Sequence, residues 1–329
     1  MTSLPASPPI LPAFPRQPRV AVVGAGAVGG YFGGLLARSG LPTVMIGREN
    51  FASAVSRDGL RLDTQRFNET VAVEATTELA AVRDADLVLF CVKSFDTECT
   101  ARALAPFLAP HCTVLSLQNG IENAGQISAI TGRTAVPAVV YLAAAVPAPG
   151  TVKHFGRGDL VVGPDEPGVR EIARLFEAAG VGCVVTPQIQ ARLWEKFVCN
   201  CALNAISALC QITYGATGES PTAWLVVEQV VAELLAVAKA NGIEPASMPD
   251  LPAALAGVRQ LTRQIAGAYS STAQDLRRGK RTEIEALNGC VARLGRECGI
   301  PTPINQALWA LVRAAEIPAT PPVPSATPV

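Results

Sequence analysis

An α/β half on a doubly wound parallel sheet, followed by an all-helical half, is the fold class that this sequence predicts. Three observations predict it. Up to about Pro187, short β-branched runs alternate with helical stretches, and beyond it only helix-period patterns remain. A glycine-rich stretch, Gly24-Ala25-Gly26-Ala27-Val28-Gly29, directly follows the first apolar run. The chain has 329 residues, 49% of them hydrophobic, enough for two cores at roughly 100–200 residues per domain.

Met1–Pro18 holds six prolines and is predicted to be a tail, as is the proline-rich stretch 318–329. Residues 19–187 form the first predicted domain and residues 188–317 the helical second one. Arg19–Val23, Thr43–Ile46, Ala72–Glu74, Leu87–Val92 and Thr113–Leu117 read as buried parallel strands. Val136–Ala143 and Val181–Val185 read as further strands, and Thr151–Val162 as a hairpin turning at Gly156–Gly158. Helices are expected at Val28–Arg38 and then at Ile189–Leu209, Pro221–Asn241, Leu251–Ser270, Glu283–Cys298 and Asn305–Ala315. Ser220-Pro221 supplies a helix start, and Asn241-Gly242 and Cys298-Gly299 supply stops.

Composition narrows the partners. Lys+Arg and Asp+Glu number 27 each, which leaves no electrostatic footprint for nucleic acid or an anionic membrane. The longest apolar windows, Ala135–Gly150 and Trp224–Ala240, are broken by prolines or charges short of the ~20 residues that a membrane helix needs. The N-terminus lacks the basic and apolar regions of a secretory signal. Nine scattered cysteines without a CxxC pair read as buried free thiols in a reducing compartment, with the cytoplasm as default. No metal is expected, and the apolar helix at Trp224–Ala240 serves either a core or a homodimer interface.

The glycine stretch lies between a strand and a helix, the context that makes such a motif specific for a dinucleotide. Gly24 makes the tight turn, Gly26 lets the backbone approach a pyrophosphate, and Gly29 lets the helix pack on the strand. Ala27 and Val28 open the helix whose N-terminus faces the phosphate charge. This is the Rossmann arrangement. An NAD enzyme ends its second strand with an acid that grips the ribose hydroxyls. Here the strand ends Ile46-Gly47-Arg48, and a guanidinium pairs with the 2′-phosphate of NADPH. Glu49 is the competing signal, and a solvated loop cation is the plainer account of Arg48. Lys93 and Asn119-Gly120 follow the next two strands on the ligand edge of the sheet.

Carbonyl reduction with a nicotinamide also needs a group that protonates the oxygen. His111 and His154 are the two histidines, and neither is well placed. Lys196, Asn200 and Asn204 are spaced i, i+4, i+8 and drift by only about 40° per step, which makes one polar stripe on an otherwise apolar helix. Such a stripe is costly unless something polar faces it. A small carboxylate ligand would do so, as would a buried polar network or a dimer contact.

These residues carry a resemblance. The chain resembles the ketopantoate reductases (2-dehydropantoate 2-reductases) from Arg19 to about Arg313. The glycine loop, Arg48, Lys93 and Asn119-Gly120 are in register with that family. More specific are Leu193-Trp194-Glu195-Lys196 with Asn200 and Asn204, and Ser270-Ser271-Thr272-Ala273-Gln274-Asp275 leading to Arg281-Thr282-Glu283-Ile284-Glu285. The resemblance implies a Rossmann domain joined to a helical one, with the active site in the cleft between. It implies Lys196 as proton donor, Asn200 and Asn204 as substrate-binding asparagines, and Ser271 on the substrate carboxylate. Glu283 would lie near cofactor and lysine, Arg48 and Lys93 on the cofactor, and Asn119 at nicotinamide and substrate. Ala143-Ala144-Ala145-Val146 fits the family less well.

The expected activity is NADPH-dependent reduction of a small 2-oxo acid, ketopantoate to pantoate first of all. A reductase of another 2-oxo acid or ketone is the alternative, and a non-catalytic NADPH sensor a third reading.

Overall fold

The computed structural model describes residues 17–316. The expected tails at 1–18 and 318–329 therefore lie outside the described residues, apart from positions 17 and 18. The chain divides into two compact units between Leu193 and Trp194.

In the first unit the elements run β1 (Val20–Val23), α1 (Ala27–Arg38), β2 (Thr43–Ile46), α2 (Glu49–Asp58), β3 (Leu60–Asp63), β4 (Asn68–Val71) and β5 (Glu74–Thr76). They continue with β6 (Leu87–Phe90), α3 (Thr97–Leu104), β7 (Thr113–Ser116), α4 (Asn123–Thr131), β8 (Ala135–Ala148), β9 (Thr151–Val162), α5 (Pro167–Ala178) and β10 (Cys183–Val185). The sheet order is β4-β3-β9-β8-β7-β6-β1-β2-β5, with β10 pairing β9. From β5 to β8 every pairing is parallel.

Strands β1, β6 and β7 are buried at every residue, because helices cover both faces of the sheet. Alternate residues divide between two cores. Val20, Val22, Leu87 and Leu89 pack on the face that holds Phe32 of α1 and Phe176 of α5. Ala21, Val23, Val88 and Phe90 pack on the face that holds Leu104 of α3 and Ile127 of α4. Chain order reverses at β1, which has β2 on one side and β6 on the other. The C-terminal ends of β1 and β6 are thus the topological switch point, where such sheets bind ligands.

Several expectations need correction. Thr151–Val162 is one strand, and the hairpin turn lies instead at Pro149-Gly150, between β8 and β9. What reads as a turn is an irregularity in the ladder: the register shifts between Tyr141/Leu142 and Ala143/Ala144, and Arg157 takes φ +56°. Gly158 is needed for close approach, since a Cβ there would overlap the Tyr31 hydroxyl. The strand expected at Ala72–Glu74 is displaced to Glu74–Thr76, and an antiparallel pair, β3 with β4, precedes it.

The second unit is helical. α6 (Ile189–Cys210) begins in the first unit and runs into the second. There follow α7 (Tyr214–Glu219), α8 (Pro221–Ala240), α9 (Leu251–Gln264), α10 (Ser271–Arg277), α11 (Asn288–Cys298) and α12 (Pro303–Ala315). The single helix expected over Leu251–Ser270 stops at Gln264, and Ser270 instead caps α10 by accepting from Ala273 N at 3.0 Å. The helix expected from Glu283 is a 3₁₀ turn, Ile284–Ala286, followed by α11. Glu233 of α8 accepts from the Ile304 and Asn305 amides at 2.9 and 3.0 Å, which places a carboxylate on the N-terminus of α12. Asn288 Nδ2 donates to the Cys201 carbonyl and to Asn305 Oδ1, tying α6, α11 and α12 together.

No helix among the described residues is long and apolar enough to cross a membrane. All nine cysteines are free. Cys112, Cys183, Cys201 and Cys290 are buried as expected, but Cys99, Cys210 and Cys298 are exposed.

Candidate functional site

The turn after β1 is shaped by side chains that are missing. Gly24 has φ +95°, and a Cβ there would sit 2.6 Å from the Val92 amide nitrogen. A Cβ on Gly29 would lie 2.5 Å from the Gly24 carbonyl oxygen and 2.9 Å from Val22 Cγ1, so this glycine sets how closely α1 meets β1. Gly26 differs: nothing lies within 4 Å of the place its Cβ would take. Gly26 is also the N-cap of α1, with no side-chain capping bond and no acid in the first turn. The opening amides of α1, at Ala27, Val28 and Gly29, are thus left for an anion. With Ala25 N donating to the Ile46 carbonyl at 3.2 Å, the loop is closed by backbone alone. The residues present fit a dinucleotide pyrophosphate.

At the end of β2, Gly47 sits where an acid would grip a ribose, and its own geometry resists one. A Cβ there would lie 2.7 Å from Phe51 Cδ1. Arg48 is exposed, and its guanidinium makes no ion pair or hydrogen bond among the described residues. Glu49, the competing carboxylate, instead accepts from the Ser53 hydroxyl at 2.6 Å within α2.

Lys93 and Asn119 follow β6 and β7, and a buried chain of hydrogen bonds that sequence reasoning missed joins their loops. Gln118 Nε2 donates to the Val92 carbonyl at 3.0 Å and to Thr97 Oγ1 at 2.8 Å. Thr97 Oγ1 donates to Asn123 Oδ1, and Asn123 Nδ2 donates to the Asn119 carbonyl at 2.7 Å. Gln118, Thr97 and Asn123 are all buried, so each polar atom needs such a partner. The Gln-Asn-Gly triplet is the signal that could have found Gln118.

His111 is exposed and lies 3.4 Å from Asp86 at the opposite edge of the sheet, and His154 stacks on Tyr31 at 4.7 Å. Neither belongs to the ligand edge.

In the second unit Lys196, Asn200 and Asn204 share α6, flanked by buried Phe197, Val198, Cys201 and Leu203. Asn204 is itself buried, and two residues outside the predicted set hold it. Tyr214 donates from its hydroxyl to Asn204 Oδ1 at 2.8 Å, and Ser270 Oγ donates to the Asn204 carbonyl at 3.1 Å. Ser270 N also donates to Ser207 Oγ. Since Ser270 caps α10, these bonds tie Ser271, the exposed first residue of α10, to the stripe on α6. Glu283 is buried and occupies the N-cap of the 3₁₀ turn, yet its side chain makes no capping bond. The Thr282 hydroxyl accepts from Ile284 N instead, at 3.3 Å.

The parallel sheet with a glycine loop at its switch point, followed by a helical unit, defines a protein of the dinucleotide-binding Rossmann class. Family comparison agrees and is more specific. Residues 20–167 match the family described as Ketopantoate reductase PanE/ApbA, and residues 188–316 match its C-terminal domain. The chain belongs to the ketopantoate reductase family. It is 33% identical over 305 residues to a 2-dehydropantoate 2-reductase of Halobacterium salinarum, covering 91% of this chain and 99% of that one. Among solved structures it is similar to a PanE/ApbA family ketopantoate reductase from Ralstonia eutropha JMP134. That likeness has TM-score 0.86 and 46% identity, over 91% of this chain and 98% of the other. A D-mandelate dehydrogenase solved with NADH and anilino(oxo)acetate matches with TM-score 0.83 and 25% identity, over 91% and 98%.

Proposed function

We propose that this chain reduces a small branched 2-oxo acid with NADPH, and that the substrate is ketopantoate, converted to pantoate in the cytoplasm. The observation that carries the reading is the polar stripe Lys196–Asn200–Asn204 on α6, with Ser271 tied to it through Ser270. Lys196 gives a proton to the substrate oxygen, and Asn200, Asn204 and Ser271 hold the carboxylate and its neighbouring oxygen. A bound nicotinamide supplies the hydride to the carbonyl carbon. The product is then a 2-hydroxy acid, and Lys196 regains its proton from solvent.

On the cofactor side, Gly24, Gly26, Gly29 and the opening amides of α1 receive the pyrophosphate, and Lys93 adds a positive charge. Arg48 pairs with the 2′-phosphate, which its exposed and unpaired guanidinium and the crowding at Gly47 both favour. Asn119 serves the nicotinamide and substrate, and Glu283 sits by cofactor and lysine.

The D-mandelate dehydrogenase likeness favours one other reading, an aromatic 2-oxo acid reduced with NADH. Steady-state oxidation of NADPH and of NADH, each with ketopantoate and with an aromatic 2-oxo acid, separates the two. Ketopantoate with NADPH is expected to give the highest kcat/KM. Preference for the aromatic acid with NADH overturns both substrate and cofactor.

A further inference from the structure

A carboxamide has a donor end and an acceptor end, and what Asn204 offers a ligand depends on which end faces it. Its acceptor end is taken: Oδ1 receives the Tyr214 hydroxyl at 2.8 Å. Its backbone carbonyl is held from behind by Ser270 Oγ. Nδ2 has no acceptor among the described residues.

Tyr214 is fixed in its turn. Its amide donates to the Ala268 carbonyl and the Gly215 amide to the Ala266 carbonyl, both at 2.9 Å. Gly215 permits that pairing, because a Cβ there would lie 2.8 Å from Ala266 Cβ. Burial pushes the phenol well above its ordinary range, so it remains a neutral O–H donor. Among the described residues the phenol has no acceptor other than Asn204 Oδ1. Turning the amide over would leave the phenol proton facing an N–H group, with nothing to accept it.

We propose that Tyr214 is a positioning residue that locks the Asn204 amide with its NH₂ group outward. The site then selects an acceptor oxygen, rather than a donor group, at that point of the substrate. The proposal rests on the reading that Asn204 binds substrate.

Tyr214→Phe keeps the ring and removes the donor. The KM for the 2-oxo acid is expected to rise roughly 3- to 10-fold while kcat stays within about twofold, the loss of one net hydrogen bond. The dissociation constant of NADPH should not move, and the thermal midpoint should fall by no more than the few degrees that one buried hydrogen bond is worth. In an Asn204→Ala background, Tyr214→Phe should add nothing, because the tyrosine acts through the asparagine. Additive losses would overturn the proposal. Asn204→Asp keeps an acceptor for the phenol but lacks the NH₂, and should lose at least as much affinity as Tyr214→Phe. Wild-type affinity in Asn204→Asp also sinks the idea.

A second readout needs no turnover. In a ¹H–¹⁵N spectrum of the full chain, the Asn204 side-chain pair is identified by its disappearance in Asn204→Ala. That pair should shift in Tyr214→Phe. An unshifted pair in an active enzyme overturns the lock alone. A shifted pair in a chain that turns over no 2-oxo acid overturns the substrate reading, and the selectivity drawn from it.

Discussion

The turn after β1 and the surroundings of Asn204 are built by opposite means. At Gly24–Gly29 the shape comes from backbone and from missing Cβ atoms: Gly24 turns with φ +95°, and Gly29 meets the carbonyl of Gly24. At Asn204 the shape comes from side chains: Tyr214, 10 residues away, holds the carboxamide oxygen, and Ser270, 66 residues away, holds the backbone carbonyl. A site made of backbone fails when an atom is added. A site made of side chains fails when one is taken away.

The largest test removes an atom group from the second kind of site. Lys196→Ala should lower kcat by about 10²–10⁴-fold, the range for a general acid, while NADPH binding followed by fluorescence stays unchanged. Retained kcat would remove Lys196 from the chemistry.

Adding one carbon to the first kind of site comes next, and the two glycines should separate. Gly24→Ala should cost about 2–4 kcal/mol in denaturant unfolding, because a strained φ and a backbone clash coincide there. Gly26→Ala has open space around its Cβ and should cost under about 1 kcal/mol, yet weaken NADPH by filling the approach to the phosphates. Equal stability losses in the two variants would break the contrast.

A smaller effect is expected where a side chain serves the backbone-made site. Arg48→Ala should raise the Kd for NADPH by about 10–100-fold, the value of a charge-assisted bond, and leave NADH unmoved. Equal loss for both cofactors would mean that the guanidinium does not read the 2′-phosphate.

The smallest is Ser270→Ala. Losing the cap on α10 should cost about 1 kcal/mol of stability, measured by thermal unfolding. A rise in substrate KM should accompany it, since Ser270 also holds the Asn204 carbonyl.

The same contrast explains what the sequence revealed. Glycines required by a close approach stand at fixed short spacing, so the loop after β1 was legible, as were β1, β6 and β7 with their unbroken apolar runs. The stripe on α6 was legible because helical period puts Lys196, Asn200 and Asn204 in line. Tyr214 was not, because a tyrosine before a glycine gives no local hint of the amide it meets. The ladder of β8 and β9 misled for a related reason: Gly156 and Gly158 look like a turn, whereas Gly158 admits the Tyr31 ring from α1, more than a hundred residues earlier. The β3–β4 pair is four residues a side and half exposed, too short for a period to declare itself.

Gly47 constrains redesign. Placing a carboxylate just after β2, where it could grip a ribose, puts a Cβ 2.7 Å from Phe51 Cδ1 and 3.3 Å from Ala25 Cβ. Phe51 is 7% exposed and packs α2 into the sheet core, so displacing its ring disturbs that packing. An engineer would have to change both positions at once, and trimming Phe51 to alanine costs about 3–5 kcal/mol of core packing. An acid arriving alone at 47 therefore carries a packing cost before it makes any contact with a ribose.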